Sequence, residues 1–144
     1  MPDNDSISIR FGWSNMKFDQ ITEMLENAFW CKGIKKEEVE KGSMNSALLV
    51  GAFNSESEQV GFARAISDKT RFAYILDVIV REDYRRKGIG QNMIKSMIEN
   101  KEMSNVYQWV LITKDAHEVY KKVGFSVAKR PNDWMEIRKT RPER

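Results

Sequence analysis

The hydrophobic and polar positions of the chain repeat with two different periods, which predict strands and helices in turn. Residues 6–11 alternate weakly and predict a first strand, and apolar residues then recur at helical spacing from Phe18 to Phe29. A loop is predicted over residues 30–33. A short, highly charged helix is predicted over residues 35–41, ending at Gly42.

The middle of the chain predicts a hairpin followed by its most apolar strand. Residues 47–53 and 59–66 are β-rich runs joined by the polar stretch 54–58, which predicts an antiparallel pair. After a turn at residues 68–70, residues 72–80 are apolar except for one carboxylate, Asp77. Such a run is typical of a strand covered on both faces, so we expect it inside the sheet.

The last third predicts a long helix and several shorter elements. An apolar stripe from Ile89 to Ile98 predicts a helix that begins at Gly88 and ends near Asn100. The pattern then predicts a strand over 109–112, a helix over 116–123 capped by a left-handed Gly124, closing strands over 125–128 and 134–137, and a frayed basic tail over 138–144. These elements predict one mixed α/β domain over residues 1–144.

Length and composition agree with a single globular domain and exclude several classes of protein. The chain has 144 residues, 41% hydrophobic and 31% charged, which is far from the composition of disordered chains. One Cys and one His exclude a disulfide framework and a Cys/His zinc site, and we expect no metal. A net charge of +3 is too small to favour a nucleic-acid partner. The polar first residues and the lack of a long apolar run predict no membrane partner and a cytoplasmic location.

The segment between the apolar strand and the long helix has the composition of a phosphate-binding turn. Gly88 and Gly90 would let an anion approach the N–H groups of the first helical turn, where the helix dipole adds about half a positive charge. Three cations precede them, at residues 85–87. The spacing differs from the nucleotide P-loop and from the dinucleotide Gly-x-Gly-x-x-Gly pattern, so both of those sites are disfavoured. A merely solvated loop is the alternative interpretation.

Two segments resemble the GNAT family of acetyl-CoA-dependent N-acetyltransferases. Residues 78–90, which contain Arg85-x-x-Gly88-x-Gly90, are similar to the family's motif A, Arg/Gln-x-x-Gly-x-Gly/Ala. Residues 116–125 are similar to its Ala-x-x-x-Tyr-x-x-x-Gly-Phe segment, at the expected distance downstream. The order of predicted elements also agrees over nearly the whole chain. The resemblance implies an α/β fold with a central mixed, mostly antiparallel, twisted sheet that is flanked by helices and splayed at its central strands.

The resemblance also implies roles for residues on the cofactor side of the site. The backbone of Val78 and Val80 is expected to pair with the pantetheine arm, and the N–H of Ile79 is a candidate to stabilise the oxyanion. Thr113 stands where many members have an Asn that contacts the cofactor, and Tyr120 is expected to protonate the CoA thiolate as general acid. The residues expected at the pyrophosphate are Arg85, Arg86, Lys87, Gly88, Ile89, Gly90 and Gln91.

Three residues are candidates on the amine side. An alkylamine with a pKa near 10.4 is protonated at neutral pH, so the site must remove its proton, and Asp77 or Tyr74 could accept that proton through water. Asp77 also matches a position where some small-amine members place an acidic residue, although it could instead support a strand bulge. Trp30 lies in the region that builds the acceptor wall in this family. Packing in the core is the alternative for Trp30 and Tyr74.

The resemblance implies an N-acetyltransferase that moves acetyl from acetyl-CoA to a primary amine by direct attack in a ternary complex. The acceptor is a small molecule or a peptide, and a homodimer is possible because members commonly dimerise. A covalent intermediate on Cys31 is disfavoured, since no His lies near it in sequence. Two alternatives from other classes are a catalytically silent acyl-CoA-binding regulatory module and a nucleic-acid-binding domain that uses residues 85–87.

Overall fold

The computed structural model describes residues 6–144 and contains one five-stranded sheet. The strands are antiparallel except for the last pair, which is parallel, so the expected mixed and mostly antiparallel sheet is confirmed. The apolar run 72–80 forms an interior strand, as predicted. In spatial order, which is also chain order, the strands are β1 (Ser8–Phe11), β2 (Leu48–Phe53), β3 (Gln59–Ser67), β4 (Phe72–Val80) and β5 (Gln108–Leu111).

Helices cover both faces of this sheet and bury two separate hydrophobic clusters. On one face, which we call the α1/α2 face, Ile21 and Leu25 pack with Phe53 and Phe62 of the strands. The opposite α3 face buries an apolar helix stripe that includes Met93 against the alternate residues of the same strands. The helices are α1 (Phe18–Leu25), α2 (Lys36–Met44), α3 (Ile89–Ile98) and α4 (His117–Lys121).

The first two helices end at different residues from those predicted. The helical spacing continues to Phe29, but α1 ends at Leu25 and the Phe29 side chain is 66% exposed. Turns replace the helix there, since the N–H of Gly33 donates to the carbonyl of Glu26. By contrast, α2 continues through Gly42, where a Cβ would lie only 3.3 Å from the Arg64 guanidinium carbon. That glycine therefore makes room for a neighbouring side chain and does not end the helix.

The predictions for the last twenty residues were wrong in two respects. Residues 125–128 and 134–137 alternate like strands but form none, and Met135 is 96% exposed. Alternation only defines an apolar face, whereas a strand also needs a hydrogen-bonded neighbour. The segment 138–144 is not entirely frayed, because the Arg144 side chain is only 12% exposed and pairs with Glu38 of α2. Gly124 does adopt the expected positive φ, at 104°.

Candidate active site

The sheet opens where β4 extends beyond the end of β5. The parallel pairing of these strands stops at Ile75 and Leu111, whereas the antiparallel pairing of β4 with β3 continues as far as Val80. Residues 76–80 therefore have a hydrogen-bonded neighbour on one side only within the described part of the chain. This gap is the splay that the resemblance implies, and it leaves a free strand edge.

A β-bulge in this free segment changes the faces to which its side chains point. Phe62 of β3 lies opposite Ile79, but Arg64 lies opposite Leu76, so Asp77 and Val78 together oppose one residue. Asp77 takes up the extra residue with a left-handed φ of 56°. As a result, Val78 packs toward the α3 face and Ile79 toward the α1/α2 face. The bulge that was one of the two interpretations of Asp77 is therefore present, and its role toward substrate stays a prediction.

The backbone N–H groups of β4 divide between β3 and the open edge. The N–H of Arg81 donates to the carbonyl of Val60 at 2.8 Å, and successive N–H groups of a strand point to opposite sides. The N–H of Ile79 therefore faces β3, and those of Val78 and Val80 face the opening. This arrangement removes the geometric basis for Ile79 as the oxyanion donor. It leaves the N–H groups of Val78 and Val80 for an extended ligand.

The predicted phosphate-binding turn lies beside this open edge. Gly88 is the N-cap residue of α3 and has a φ of 79°. No side chain caps the N–H groups of the residues that follow it, 89–91. The first helical bond runs from Asn92 to Gly88, so within residues 6–144 the N–H groups of Ile89, Gly90 and Gln91 have no acceptor. A Cβ on Gly90 would lie 3.8 Å from Val80. The free N–H groups are therefore next to the end of the free strand.

The three cations of the turn are exposed, and one of them also contacts the strand. Arg85 donates its Nε–H to the carbonyl oxygen of Val80 at 2.8 Å. Arg86 adopts a left-handed φ of 66°, which turns the chain sharply before Gly88. Together with Lys87, these exposed cations directly precede Gly88 at the start of α3. The arrangement is suited to an anion of the size of a pyrophosphate.

Tyr120 lies on α4 and packs against the hydrophobic cluster of the α3 face. Its ring meets that of Phe125 edge to face, with the centroids 6.2 Å apart. Burial raises the pKa of the Tyr120 phenol above its usual value of 10.0, so the hydroxyl is protonated at neutral pH. No residue of the described chain hydrogen-bonds to that hydroxyl. Tyr120 is thus a protonated donor held by its ring.

Two residues predicted to bind cofactor have structural contacts that position α4. Thr113 accepts a hydrogen bond from the N–H of Ala116 through Oγ1 at 2.9 Å, just before the helix begins. Gln91, in the first turn of α3, donates from Nε2 to the carbonyl oxygen of Val119 at 3.4 Å. The start of α3 and the helix that carries Tyr120 are therefore linked directly. A contact of either residue with cofactor stays a prediction.

On the α1/α2 face, Asp77 pairs with an arginine that sequence analysis missed. The Arg64 Nε lies 2.8 Å from Asp77 Oδ2, and both side chains are only about one-sixth exposed, at 16% and 15%. Trp30 donates from Nε1 to the other oxygen, Oδ1, at 3.4 Å. Arg64 also donates from Nη1 to the carbonyl of Gly42 and to Ser46 Oγ. The only sequence signal for Arg64 was that it is the one charged residue in the predicted strand 59–66.

A cleft of about 270 Å³ lies between this pair and α2. Four charged residues line the cleft: Asp77, Arg64, Glu38 and Lys41. Tyr74 is half-buried on β4, belongs to neither hydrophobic cluster and does not line this cleft, so its role toward the amine stays a prediction.

Cys31 lies near this cleft but is chemically inert. Burial, with a smaller contribution from Asp77, raises the pKa of its thiol to about 11. Cys31 is therefore a thiol at neutral pH and not a nucleophile. Within residues 6–144, no helix is long and apolar enough to cross a membrane, and no three His, Cys, Asp or Glu side chains are grouped so as to hold a metal ion.

Comparison with known sequences identifies relatives over most of the chain. The family model of the acetyltransferase (GNAT) domain matches residues 45–127. The chain is 28% identical over 115 residues to ycf52 of Pyropia yezoensis, described as an uncharacterized N-acetyltransferase, and 27% identical to ycf52 of Porphyra purpurea. Each match covers 77% of this chain and 66% of the relative, slightly less than two thirds of its length.

Solved structures share the fold. A GNAT-family protein from Xanthomonas campestris pv. campestris is 28% identical, with a TM-score of 0.85 over 93% of this chain and 94% of that one. Glucosamine-6-phosphate N-acetyltransferase from Arabidopsis thaliana has the same fold at 13% identity, with a TM-score of 0.67 over 94% of this chain and 98% of that one. The family model covers more than half of the chain, including the free strand edge and the turn beside it. The chain therefore belongs to the GNAT acetyltransferase family.

Proposed function

We propose that the protein transfers an acetyl group from acetyl-CoA to a primary amine by direct attack in a ternary complex. The observation that carries this proposal is the junction of the free edge of β4 with the unpaired N–H groups at the start of α3. The strand edge suits an extended amide-containing arm, and the helix start suits a pyrophosphate. Acetyl-CoA contains both groups, joined in one molecule.

The backbone of β4 supplies the donors for the thioester end. The N–H of Val80 faces the opening and is placed to pair with the pantetheine amides. Attack by an amine nitrogen on a thioester carbon puts negative charge on the carbonyl oxygen, and a fixed N–H at that point lowers the barrier. Val78 supplies this N–H in our proposal. Ile79 keeps its place against β3.

Tyr120 completes the transfer by donating a proton. When the carbon–sulfur bond breaks, its electron pair goes to sulfur, and the resulting thiolate takes the proton of the Tyr120 hydroxyl. Burial raises the pKa of that phenol, which keeps the proton in place until the thiolate forms. The Tyr120 phenolate is then reprotonated, through solvent, by the proton that the attacking amine releases.

The α1/α2 face receives the amine. Only about one part in a thousand of a free alkylamine is neutral at pH 7.4. Removing the proton from the ammonium form therefore costs about 4 kcal/mol. Asp77, positioned by Arg64 and Trp30, lies at the bulge between the two faces and attracts the ammonium form before it loses its proton. Tyr74 and Trp30 form the neighbouring walls. The acceptor is thus a small amine or the amine of a peptide.

The test is a direct assay of acetyl transfer with the purified chain. We expect release of free CoA thiol and a mass increase of one acetyl group on an amine from a panel of primary amines. Tyr120→Phe should remove most of this activity, whereas Tyr107→Phe, at a tyrosine that is 72% exposed, should not. Binding of acetyl-CoA without any CoA release across the panel would instead identify a silent acyl-CoA-binding module.

A further inference from the structure

The cleft on the α1/α2 face contains a second carboxylate that the proposed reaction does not use. Two carboxylates and two cations line the cleft. Asp77 is matched by Arg64 within it, but Lys41 makes no ion pair in the described part of the chain. The remaining carboxylate, Glu38, forms an ion pair with Arg144. Arg144 lies outside the cleft lining and 106 positions later in sequence.

Arg144 engages Glu38 as a charged ligand would. Its Nε lies 3.1 Å from Glu38 Oε1 and its Nη2 lies 2.5 Å from Oε2, so both carboxylate oxygens are used. The Arg144 side chain is 12% exposed and passes close to Gly33, where an added Cβ would lie 3.3 Å from the Cβ of Arg144. The positive charge of Arg144 also partly offsets the rise in the pKa of the Cys31 thiol. A cation of the chain is therefore held beside the place proposed for the amine.

A second observation in the same cleft points to an additional hydrogen-bond donor. Ser43 lines the cleft, is 2% exposed, and its hydroxyl has no hydrogen-bond partner in the described residues. A buried hydroxyl without a partner is unfavourable, and an ammonium group carries three N–H donors. Ser43 belongs to α2, as Glu38 does, and both residues line this cleft.

From these contacts we infer that Glu38 is the subsite for a second cationic group of the acceptor, and that Arg144 competes for it. This inference rests on the proposed function, since it names the class of acceptor as a small diamine or polyamine. One amine is acetylated near Asp77, and the other ammonium replaces the Arg144 guanidinium at Glu38. Both groups are cationic donors to a carboxylate, so the exchange conserves the charge at Glu38.

The competition should be weak enough for a substrate to overcome. Glu38 is 51% exposed, and ion pairs of that exposure contribute at most about a fivefold factor to an equilibrium. Residues 138–143 are exposed, so the segment has few other contacts to hold it in place. Removing the Arg144 charge should therefore increase diamine affinity by about two- to fivefold. Removing the Glu38 charge should decrease diamine affinity by a similar factor, about two- to fivefold, because the ammonium would pair with the same half-exposed carboxylate.

The experiment measures binding and turnover of 1,4-diaminobutane and butylamine by the full chain and by Glu38→Gln, Arg144→Gln and the double variant. Glu37→Gln is the matched control, because Glu37 is an exposed carboxylate of the same helix that does not line the cleft. We expect Glu38→Gln to weaken diamine binding about two- to fivefold without changing butylamine binding, and Arg144→Gln to strengthen diamine binding. In the double variant the effect of Arg144→Gln should disappear.

Two results separate this inference from the proposed function. Equal diamine affinity in the parent chain, Glu38→Gln and Glu37→Gln, measured by calorimetry, would overturn the subsite even if acetylation occurs. Conversely, a Glu38-dependent diamine affinity without any acetylation would support the subsite and refute the transferase proposal. Thermal unfolding of each variant checks that the affinities belong to folded protein.

Discussion

Replacing Asp77 tests whether this residue is held in its left-handed conformation and paired with Arg64 in solution. Asp77→Ala removes the carboxylate from a guanidinium that is only 16% exposed, and places a residue with a Cβ at a φ of 56°. Asp77→Gly removes the same carboxylate but tolerates that φ. Asp77→Asn keeps the shape and the tolerance of positive φ and removes only the charge.

The magnitudes follow from burial and backbone conformation. Removing one partner of a fully buried ion pair costs about 3–5 kcal/mol. Here some exposure remains and Arg64 keeps its bonds to Gly42 and Ser46, so we expect about 2–3 kcal/mol for loss of the carboxylate. The left-handed φ adds about 1 kcal/mol for alanine. The free energy of unfolding should thus fall by about 3–4 kcal/mol in Asp77→Ala, by about 1 kcal/mol less in Asp77→Gly, and by about 1–2 kcal/mol in Asp77→Asn.

Urea titration followed by tryptophan fluorescence measures these differences, and a double-mutant cycle with Arg64→Met isolates the pair. We expect a coupling free energy of about 2 kcal/mol between the two sites. At about 4 °C per kcal/mol, Asp77→Ala should lower Tm by roughly 12–16 °C. The reasoning is refuted if Asp77→Ala and Asp77→Gly are equally stable, or if the coupling is below about 0.5 kcal/mol.

The other predictions concern chemistry, cofactor and the turn before β4. Tyr120→Phe should lower kcat roughly a hundredfold and change stability by at most about 1 kcal/mol, and near-normal turnover would exclude Tyr120 as the acid. Because burial raises the Tyr120 pKa above 10.0, kcat should persist to above pH 10 and then fall, and Tyr120→Phe should lack that fall. Gly90→Val should weaken acetyl-CoA binding in calorimetry by filling the space beside Val80, and unchanged affinity would show that the phosphate site is misplaced. Asp68 accepts three backbone N–H bonds, from residues 70–72, which lower the pKa of its carboxyl. Asp68→Ala should therefore lower Tm above about pH 4, and the difference should shrink as the pH falls toward that lowered pKa, whereas a pH-independent difference would contradict this cause.

Sequence pattern predicted β4 completely and its bulge only as an alternative. The nine residues 72–80 are apolar except for one carboxylate, and this local pattern predicts a covered strand without reference to tertiary contacts. The predicted bounds 72–80 agree with the structure. The partner of Asp77 was not predictable in the same way. Arg64 meets Asp77 only because a hairpin register and a bulge bring them together, and neither is encoded by the pattern of one strand.

The turn proposed to bind phosphate and the cleft proposed to bind the amine differ in the same respect. Gly88 and Gly90 directly follow the three cations of the turn and begin the predicted helix. Their spacing in sequence was therefore enough to predict a phosphate site without any tertiary contact. The cleft combines α2, β3 and β4, and the ion pair of Glu38 with Arg144 spans 106 residues. Tertiary contacts of that range have no periodic signature. For the same reason, the alternation of residues 134–137 predicted a strand that no neighbouring strand completes.

The bulge places adjacent residues of one strand on opposite faces of the sheet. Val78 packs on the α3 face beside the turn, whereas Asp77 contacts Arg64 and Trp30 on the opposite face. Substitutions in α2 can therefore remodel the amine cleft without touching the start of α3. In the function that we propose, substitutions in this one surface helix are therefore enough to change acceptor preference, while the residues proposed for acetyl-CoA stay the same.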